Sequence, residues 1–387
     1  MLKFFKYLVC YLVYPFSFLS VRKRGRIAFG CPKNRFEGNP KYLFIEYSRK
    51  GYDVCWISAD RSTVKDIQAR GLKARYLLSP DGLHFALTSK WWMVGAYSSD
   101  ILFFLSGGAK IFNLWHGVGL KLCEFNIKSG PLADRYYRKT LKERFYHPEV
   151  YKRPDLFLSA SAFQTAMFSP AFRIPASRCI EEGYPRNQIL LCDEEARKEF
   201  IAGYEDPATA RLIKELSAFR KVYVYMPTWR DSGASALQNF DYSKIDAVLR
   251  KNGDALLVKD HFNNADGGAY REGSIFHLHP AADIYPVLPY TDVLITDYSS
   301  VLYDYILMEG KSVILYIFDY NAYTAERDFF YPFEENVIGE KALTFDELLG
   351  ILERGPEPLD QARRQALIQK FWDGKQDHYD FNHYLHL

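Results

Sequence analysis

Two short segments combine side chains that can handle protons and phosphate oxygens. The first is AKIFNLWHGVGLK, residues 109 to 121, in which Trp115-His116-Gly117 closes an apolar run. An imidazole exchanges its proton near neutral pH, so His116 at the end of a strand is placed to act as a general base. Gly117 and Gly119 let the backbone turn tightly or approach a ligand. The same pattern also fits an ordinary turn histidine. The second segment is TDVLITDYSSVLYDYILMEG, residues 291 to 310. An apolar strand ends at Thr296 and Asp297, and Ser299 or Ser300 can cap the helix that follows. The unpaired N–H groups of a helix start, with two serine hydroxyls, make a seat for phosphate; an ordinary N-cap without a ligand reads the same way.

Two further loops carry cations. In YMPTWRDSG, Thr228 and Arg230 sit just past a strand, and the guanidinium fork suits phosphate oxygens. In LVKDHF, Lys259 and His261 end another strand. No single loop is specific; their shared position at strand ends is the argument. The chain lacks a GxxxxGK[ST] phosphate loop, an HExxH zinc motif and a GxSxG elbow. His277 and His279 alternate in IFHLHP, which a metal or a half-exposed strand face would equally explain.

The elements that must position these residues alternate. GRIAF, YDVCWIS, KARYLLS, SDILFF and AKIFNLW read as strands, with helices over NPKYLFIEYSRKG, STVKDIQARG and the helix-like HFALTSKWWMVGA. DLFLSAS and SAFQTAMFSPAF continue the pattern, and two acidic helices follow. The second half restarts it with KVYVYMPTW, DALLVKDHF, PVLPYTDVLITD and KSVILYI as strands and VLYDYILMEG as a helix. Such alternation implies parallel sheets with ligands at the carboxyl ends of the strands and in the crevice between domains.

Composition narrows the class. With 387 residues, 48% hydrophobic and 25% charged, the chain is globular and long enough for more than one domain. A net charge of +3 is too small to point to nucleic acid. Residues 1 to 20, MLKFFKYLVCYLVYPFSFLS, are apolar but carry Lys6 and Pro15, and Arg22, Lys23, Arg24, Arg26, Lys33 and Arg35 follow. That pattern fits a helix lying in an anionic membrane interface; a buried first helix and a membrane span are the other readings. The six cysteines form no CxxC pair and read as reduced thiols.

NLWHGVGLK, EEGYPRNQIL, YMPTWRD, LVKDHF, DVLITDYSSVLYDY and the FDYNAYTAERDFFYPFEE segment, in that order, resemble the CDP-glycerol glycerophosphotransferase family, which includes teichoic acid primases and polymerases and related capsule polymer enzymes. The likeness covers about residues 100 to 340. It implies an α/β fold of two Rossmann-like domains facing across a cleft, GT-B type. The expected division is a membrane-associated segment at 1–21, an acceptor-side domain at 22–190, and a donor-binding domain with C-terminal helices at 191–387. The implied reaction moves a polyol phosphate from CDP-glycerol or a related CDP-polyol to a hydroxyl of a lipid-linked glycan or polymer, releasing CMP. No cofactor or metal is implied, and the setting is peripheral, at the cytoplasmic face of the bacterial cell membrane. The resemblance makes His116 the base, with His261 and Asp297 beside it in the catalytic set. Gly117, Thr228, Arg230, Lys259, Ser299, Ser300 and Arg327 would serve the donor. Wall-polymer members often have threonine and proline after WHG; Val118 and Gly119 stand here, which puts acceptor choice in question. The chain also lacks a large extra N-terminal domain, as a compact primase-like or capsule-type member would. A nucleotide-sugar glycosyltransferase on the same frame and a non-enzymatic membrane-bound assembly protein are the alternatives.

Overall fold

Strands buried on both faces need continuous apolar runs, and these runs are where the strands form. Val222–Met226, Ala255–Val258 and Val293–Thr296 are buried along nearly their whole length. The computed structural model describes residues 2–228, 240–259, 269–326 and 328–386. They divide into two units: Met1–Gly117, Cys123–Arg186 and Lys375–Leu387 in the first, Val118–Leu122 and Asn187–Gly374 in the second.

The first unit holds β1 (Lys23–Gly30), β2 (Asp53–Ser58), β3 (Ala74–Tyr76), β4 (Ser89–Val94), β5 (Lys110–Asn113), β6 (Leu156–Ser159) and β7 (Cys179–Glu181). Their order is β3-β2-β1-β4-β5-β6-β7, and each pairing is parallel. The second unit holds β8 (Val222–Met226), β9 (Ala255–Val258), β10 (Tyr270–Glu272), β11 (Ile275–His277), β12 (Val293–Thr296), β13 (Ser312–Tyr316) and β14 (Glu340–Ala342). Their order is β10-β11-β9-β8-β12-β13-β14, with only the β10–β11 pair antiparallel among the described strands. Each unit is therefore an open α/β sheet whose strand order reverses next to its first strand, at β1/β4 and at β8/β12.

Three local expectations fail. HFALTSKWWMVGA is not one helix: the helix Pro80–Thr88 ends at Ser89, and β4 begins there. The two tryptophans belong to a strand hydrogen-bonded between β1 and β5, a tertiary setting that overrides local periodicity. SDILFF forms two 3-10 turns, Ser98–Asp100 and Phe103–Leu105, instead of a strand. The helix after Ser300 runs only from Val301 to Tyr305.

The N-terminal helix Leu2–Ser17 packs onto the first unit. Tyr7, Tyr11 and Tyr14, at helical spacing, meet Phe103 and Phe104, with ring centroids 5.9, 5.1 and 4.8 Å from their nearer partners. Ser17 Oγ accepts the Gly107 N–H at 3.0 Å. The other face is bare: Val9, Leu12 and Phe16 are 60%, 69% and 69% exposed. The basic run after it is not a uniformly solvated arm. Arg22 donates to the carbonyls of Ala86, Ser89, Leu105 and Gly107, and burial lowers its pKa to about 10. Arg26 pairs with Asp53, while Lys23 and Arg24 are exposed. No helix among the described residues is long and apolar enough to cross a membrane.

The units interleave, whereas the alternation of the sequence put all of 191–387 into one domain. Residues 375–387 belong with the first unit because its hydrogen bonds take them in. Gly183 N–H donates to His378 O at 2.9 Å, and Trp91 Nε1 donates to Leu385 O at 3.2 Å. Phe381 meets Phe112 edge-on at 5.2 Å. Gly183 admits this segment only because it has no side chain: a Cβ there would lie 2.1 Å from Lys375 O and 2.6 Å from His378 O. Gly183→Ala should destabilise the first unit by about 2 kcal/mol through overpacking. Thermal unfolding should show a melting temperature lower by several degrees.

Candidate active site

The turn after β5 is held by its own carbonyls. Trp115 adopts a left-handed conformation (φ 50°), which costs a non-glycine residue on the order of 1 kcal/mol. Its N–H donates to Asn113 Oδ1 at 2.9 Å, while Asn113 Nδ2 donates to Ala96 O at 2.6 Å. Four successive carbonyls then meet buried side-chain donors. Asn39 Nδ2 donates to Leu114 O at 2.9 Å and to Trp115 O at 3.2 Å. Arg186 Nη1 donates to His116 O at 2.6 Å, and Tyr184 Oη donates to Gly117 O at 3.1 Å. Asn39 Oδ1 accepts the Arg186 N–H at 3.3 Å, which joins the donors to one another.

Upon this turn the His116 side chain is exposed. Its ring lies 3.9 Å from that of Trp115, which is itself packed among Phe157, Phe168 and Phe172. His116 Nδ1 is 3.4 Å from Gly95 O. Donation to that carbonyl leaves Nε2 as the basic nitrogen, the tautomer a general base needs. Asn39, Tyr184 and Arg186 were not foreseen as site residues. EEGYPRNQIL counted among the motifs of the family resemblance without any role for Tyr184 or Arg186, and Asn39 entered only as part of a helix.

The loop after β12 has a comparable brace. Asp297 is buried, and its carboxylate accepts Thr228 N–H at 2.9 and 3.1 Å and Tyr298 N–H at 2.6 Å. It ties the exits of β8 and β12 together, so Thr228, Asp297, Ser299 and Ser300 gather at one edge of the second sheet. Ser299 Oγ accepts Val301 N–H at 3.4 Å, and Ser300 is the N-cap residue without a side-chain capping bond. Tyr298 points the other way. It stacks on Tyr323 at 3.9 Å and donates to Asp319 at 3.0 Å, fixing the loop to the helix Tyr320–Glu326. The segment after that helix pairs with residues 118–122: Leu122 N–H donates to Asp328 O, and Phe330 N–H to Leu120 O. Val118 and Gly119 thus enter the second unit while His116 and Gly117 stay in the first.

Lys259 lies at the same edge of the second sheet, but its ammonium donates to the carbonyls of His279, Pro280 and Ala282 at 3.3, 2.7 and 2.7 Å. Those bonds hold a turn in place. Asp304 accepts the Tyr285 hydroxyl at 2.6 Å. Arg230, His261 and Arg327 lie outside the described residues. His277 stacks on Tyr270 at 4.1 Å, and no group of three His, Cys, Asp or Glu among the described residues is arranged to hold a metal.

Behind the first turn, Asn113, Tyr97, Ser98, Glu124 and Lys152 line a cavity of about 20 Å³, room for a water but not a substrate. Glu124 accepts hydrogen bonds from the Tyr97 and Tyr136 hydroxyls, and burial pushes its pKa up to about 7.

Two open α/β units with hydroxyl- and imidazole-bearing loops at their strand ends define a GT-B-like protein. The profile of the CDP-Glycerol:Poly(glycerophosphate) glycerophosphotransferase family matches residues 12–378, and the chain belongs to that family. It is 24% identical over 361 residues to a teichoic acid poly(glycerol phosphate) polymerase of Bacillus subtilis (strain 168), covering 88% of this chain but 45% of the relative. It is 25% identical over 295 residues to a teichoic acid glycerol-phosphate transferase of Staphylococcus aureus (strain NCTC 8325 / PS 47), covering 73% of this chain and 72% of the relative. The solved wall teichoic acid polymerase TagF superposes with a TM-score of 0.71 at 20% identity, over 92% of this chain and 86% of that one, which shows the shared fold.

The carbonyl brace makes a specific demand. Asn39→Ala removes the donor to two buried carbonyls, and leaving them unmatched costs roughly 1–3 kcal/mol at each. Turnover should fall about tenfold or more as the turn relaxes, with the far-ultraviolet circular dichroism unchanged.

Proposed function

We propose that this protein transfers a polyol phosphate, glycerol phosphate foremost, from a CDP-activated donor to a hydroxyl of a membrane-linked glycan or polymer, releasing CMP. One observation carries the reading: in a chain of this family, an exposed imidazole stands on a turn whose four carbonyls are held. The acceptor O–H gives its proton to His116 Nε2 as its oxygen bonds to the donor's β-phosphorus. The bond from that phosphorus to the bridging oxygen breaks, and CMP leaves with the electron pair. Gly117, Thr228, Ser299 and Ser300 offer hydroxyls and backbone N–H groups for phosphate oxygens, with Arg230 and Arg327 as the cations and His261 as a second proton-handling group. Asp297 positions Thr228 and Tyr298, and Lys259 supports the rim from behind. The mechanism invokes no cofactor.

The N-terminal helix supports a peripheral membrane setting at the cytoplasmic face, where nucleotide-activated donors are found. Its tyrosine face is occupied by the first unit, and its outer face of Val9, Leu12 and Phe16 matches a helix lying in a bilayer interface beside exposed Lys23 and Arg24.

A panel of CDP-polyols and nucleotide sugars, read by nucleotide release, tests the reaction. CMP should appear from a CDP-polyol, and UMP, UDP or GDP release from a sugar donor would replace this reading. His116→Ala should lower turnover about 10²–10⁴-fold, the scale of general base catalysis, with donor affinity retained. Wild-type turnover by that variant would remove His116 from the mechanism. In a separate assay, Leu12→Ser combined with Phe16→Ser should abolish co-sedimentation with anionic vesicles; undiminished binding would contradict the membrane role of this face.

A further inference from the structure

The loop leaving β4 carries a carboxylate turned back on its own backbone. Asp100 is buried, and its Oδ2 accepts Ala96 N–H at 2.8 Å and Tyr97 N–H at 3.3 Å. An acidic residue at the third position of a turn reaches back to the amides before it wherever such a turn is capped. The difference here lies on the far side of the two peptides that Asp100 holds.

A peptide unit is planar, so anchoring its N–H also aims its C=O. The Ala96 N–H shares a plane with the Gly95 carbonyl, which lies 3.4 Å from His116 Nδ1. The Tyr97 N–H shares the next plane with the Ala96 carbonyl, which accepts from Asn113 Nδ2 at 2.6 Å. Asn113 Oδ1 in turn accepts the Trp115 N–H. Both planes therefore have the Asp100 carboxylate at one end and the His116 turn at the other. A carboxylate at the N–H end also polarises the peptide and strengthens its carbonyl as an acceptor.

The frame around these peptides is tight. A Cβ on Gly95 would lie 2.9 Å from Pro32 and 3.6 Å from Pro40. One on Gly30, at the end of β1, would lie 2.7 Å from the Asp100 carbonyl. Leu114 N–H donates to Val94 O at 2.8 Å, so the ladder between β4 and β5 runs to the residue before Trp115. Burial raises the Asp100 pKa to about 7, while the Ala96, Tyr97 and Gly95 amides pull it the other way. At about pH 8 the carboxyl is therefore mostly ionised.

We propose that Asp100 is a positioning residue for His116: by anchoring the Ala96 and Tyr97 amides it aims the Gly95 carbonyl that keeps the imidazole proton on Nδ1. The inference rests on the transfer reaction proposed above, in which His116 Nε2 takes the acceptor's proton. Asp100 bonds to the peptides and acts on the imidazole only through them. The arrangement does what a carboxylate bonded directly to a histidine does, with one peptide group interposed. Without a fixed acceptor at Nδ1, that bond no longer selects the tautomer that leaves Nε2 basic.

Imidazole nitrogen chemical shifts of the full chain at about pH 8 read the tautomer without any substrate, with His116→Gln assigning the signal. The wild type should carry its proton on Nδ1. Asp100→Ala removes the anchor, so His116 should become a mixture of tautomers. Its kcat should fall about ten- to a hundredfold, less than loss of the base itself, with the KM for CDP-glycerol unchanged. Asp100→Asn keeps an oxygen for the Ala96 N–H but not the charge. It should retain most of the Nδ1–H form and lose about three- to tenfold in kcat. A wild-type tautomer in Asp100→Ala overturns the proposal whatever its melting temperature, because the carboxylate is then a turn cap alone. So does a wild type with its proton on Nε2, or a variant that raises KM and leaves kcat intact. If Asp100→Ala does not fold, Asp100→Asn decides, and a wild-type kcat and tautomer there overturn the role. The shifts stand even if no CMP is ever released, so failure of the transfer reaction and failure of Asp100 are told apart.

Discussion

The geometry around His116 depends on the satisfaction of four carbonyls in a row. A strand that ends in a sharp turn strands its C=O groups away from the ladder, and each unpaired one would cost as much as a lost hydrogen bond. Asn39, Arg186 and Tyr184 supply the missing donors. Because these donors come from the first turn of the helix after β1 and from the segment after β7, the turn cannot move without breaking contacts drawn from across the sheet. That network offsets the left-handed strain at Trp115. It turns an apolar strand end into a rigid mount for one exposed imidazole.

The second unit solves the same problem with the opposite charge logic. There the stranded groups are N–H donors at the exits of β8 and β12, and one buried carboxylate, Asp297, gathers them. A brace of amide, guanidinium and hydroxyl donors serves one sheet and a carboxylate brace the other. In both, the polar side chain is spent on backbone. The aromatic residue in each loop, Trp115 or Tyr298, turns inward and locks the loop to the core behind it.

The candidate residues were legible because they stand at the ends of apolar runs, where strands in a parallel sheet must stop. His116, Thr228, Asp297, Ser299 and Ser300 occupy such ends. Their supports were not legible, since Asn39 and Leu114 are 75 residues apart and nothing local announces the pairing. Lys259 carries a structural task that its position did not announce. A lysine at a strand end reads as a phosphate ligand, yet its ammonium spans a turn of three carbonyls. In the fold, β8, β9, β12 and β13 followed from their apolar runs. β4 did not, because Trp91 and Trp92 follow a helix without a glycine or proline break, and only the neighbouring strands decide that they pair. The interleaving of the units was equally hidden, since alternation along a chain does not say which sheet a late segment rejoins.

The return of residues 375–387 to the first unit has a consequence for how the protein is made. A ribosome releases β1 to β7 first, but Gly183, Trp91 and Phe112 must wait for Leu385, His378 and Phe381 before their last partners exist. The second unit, whose own sheet is complete once β14 emerges, has every strand available earlier. The half that is translated first is finished last, and it spends the interval with its Trp91–Phe112 surface uncovered and in need of protection from aggregation.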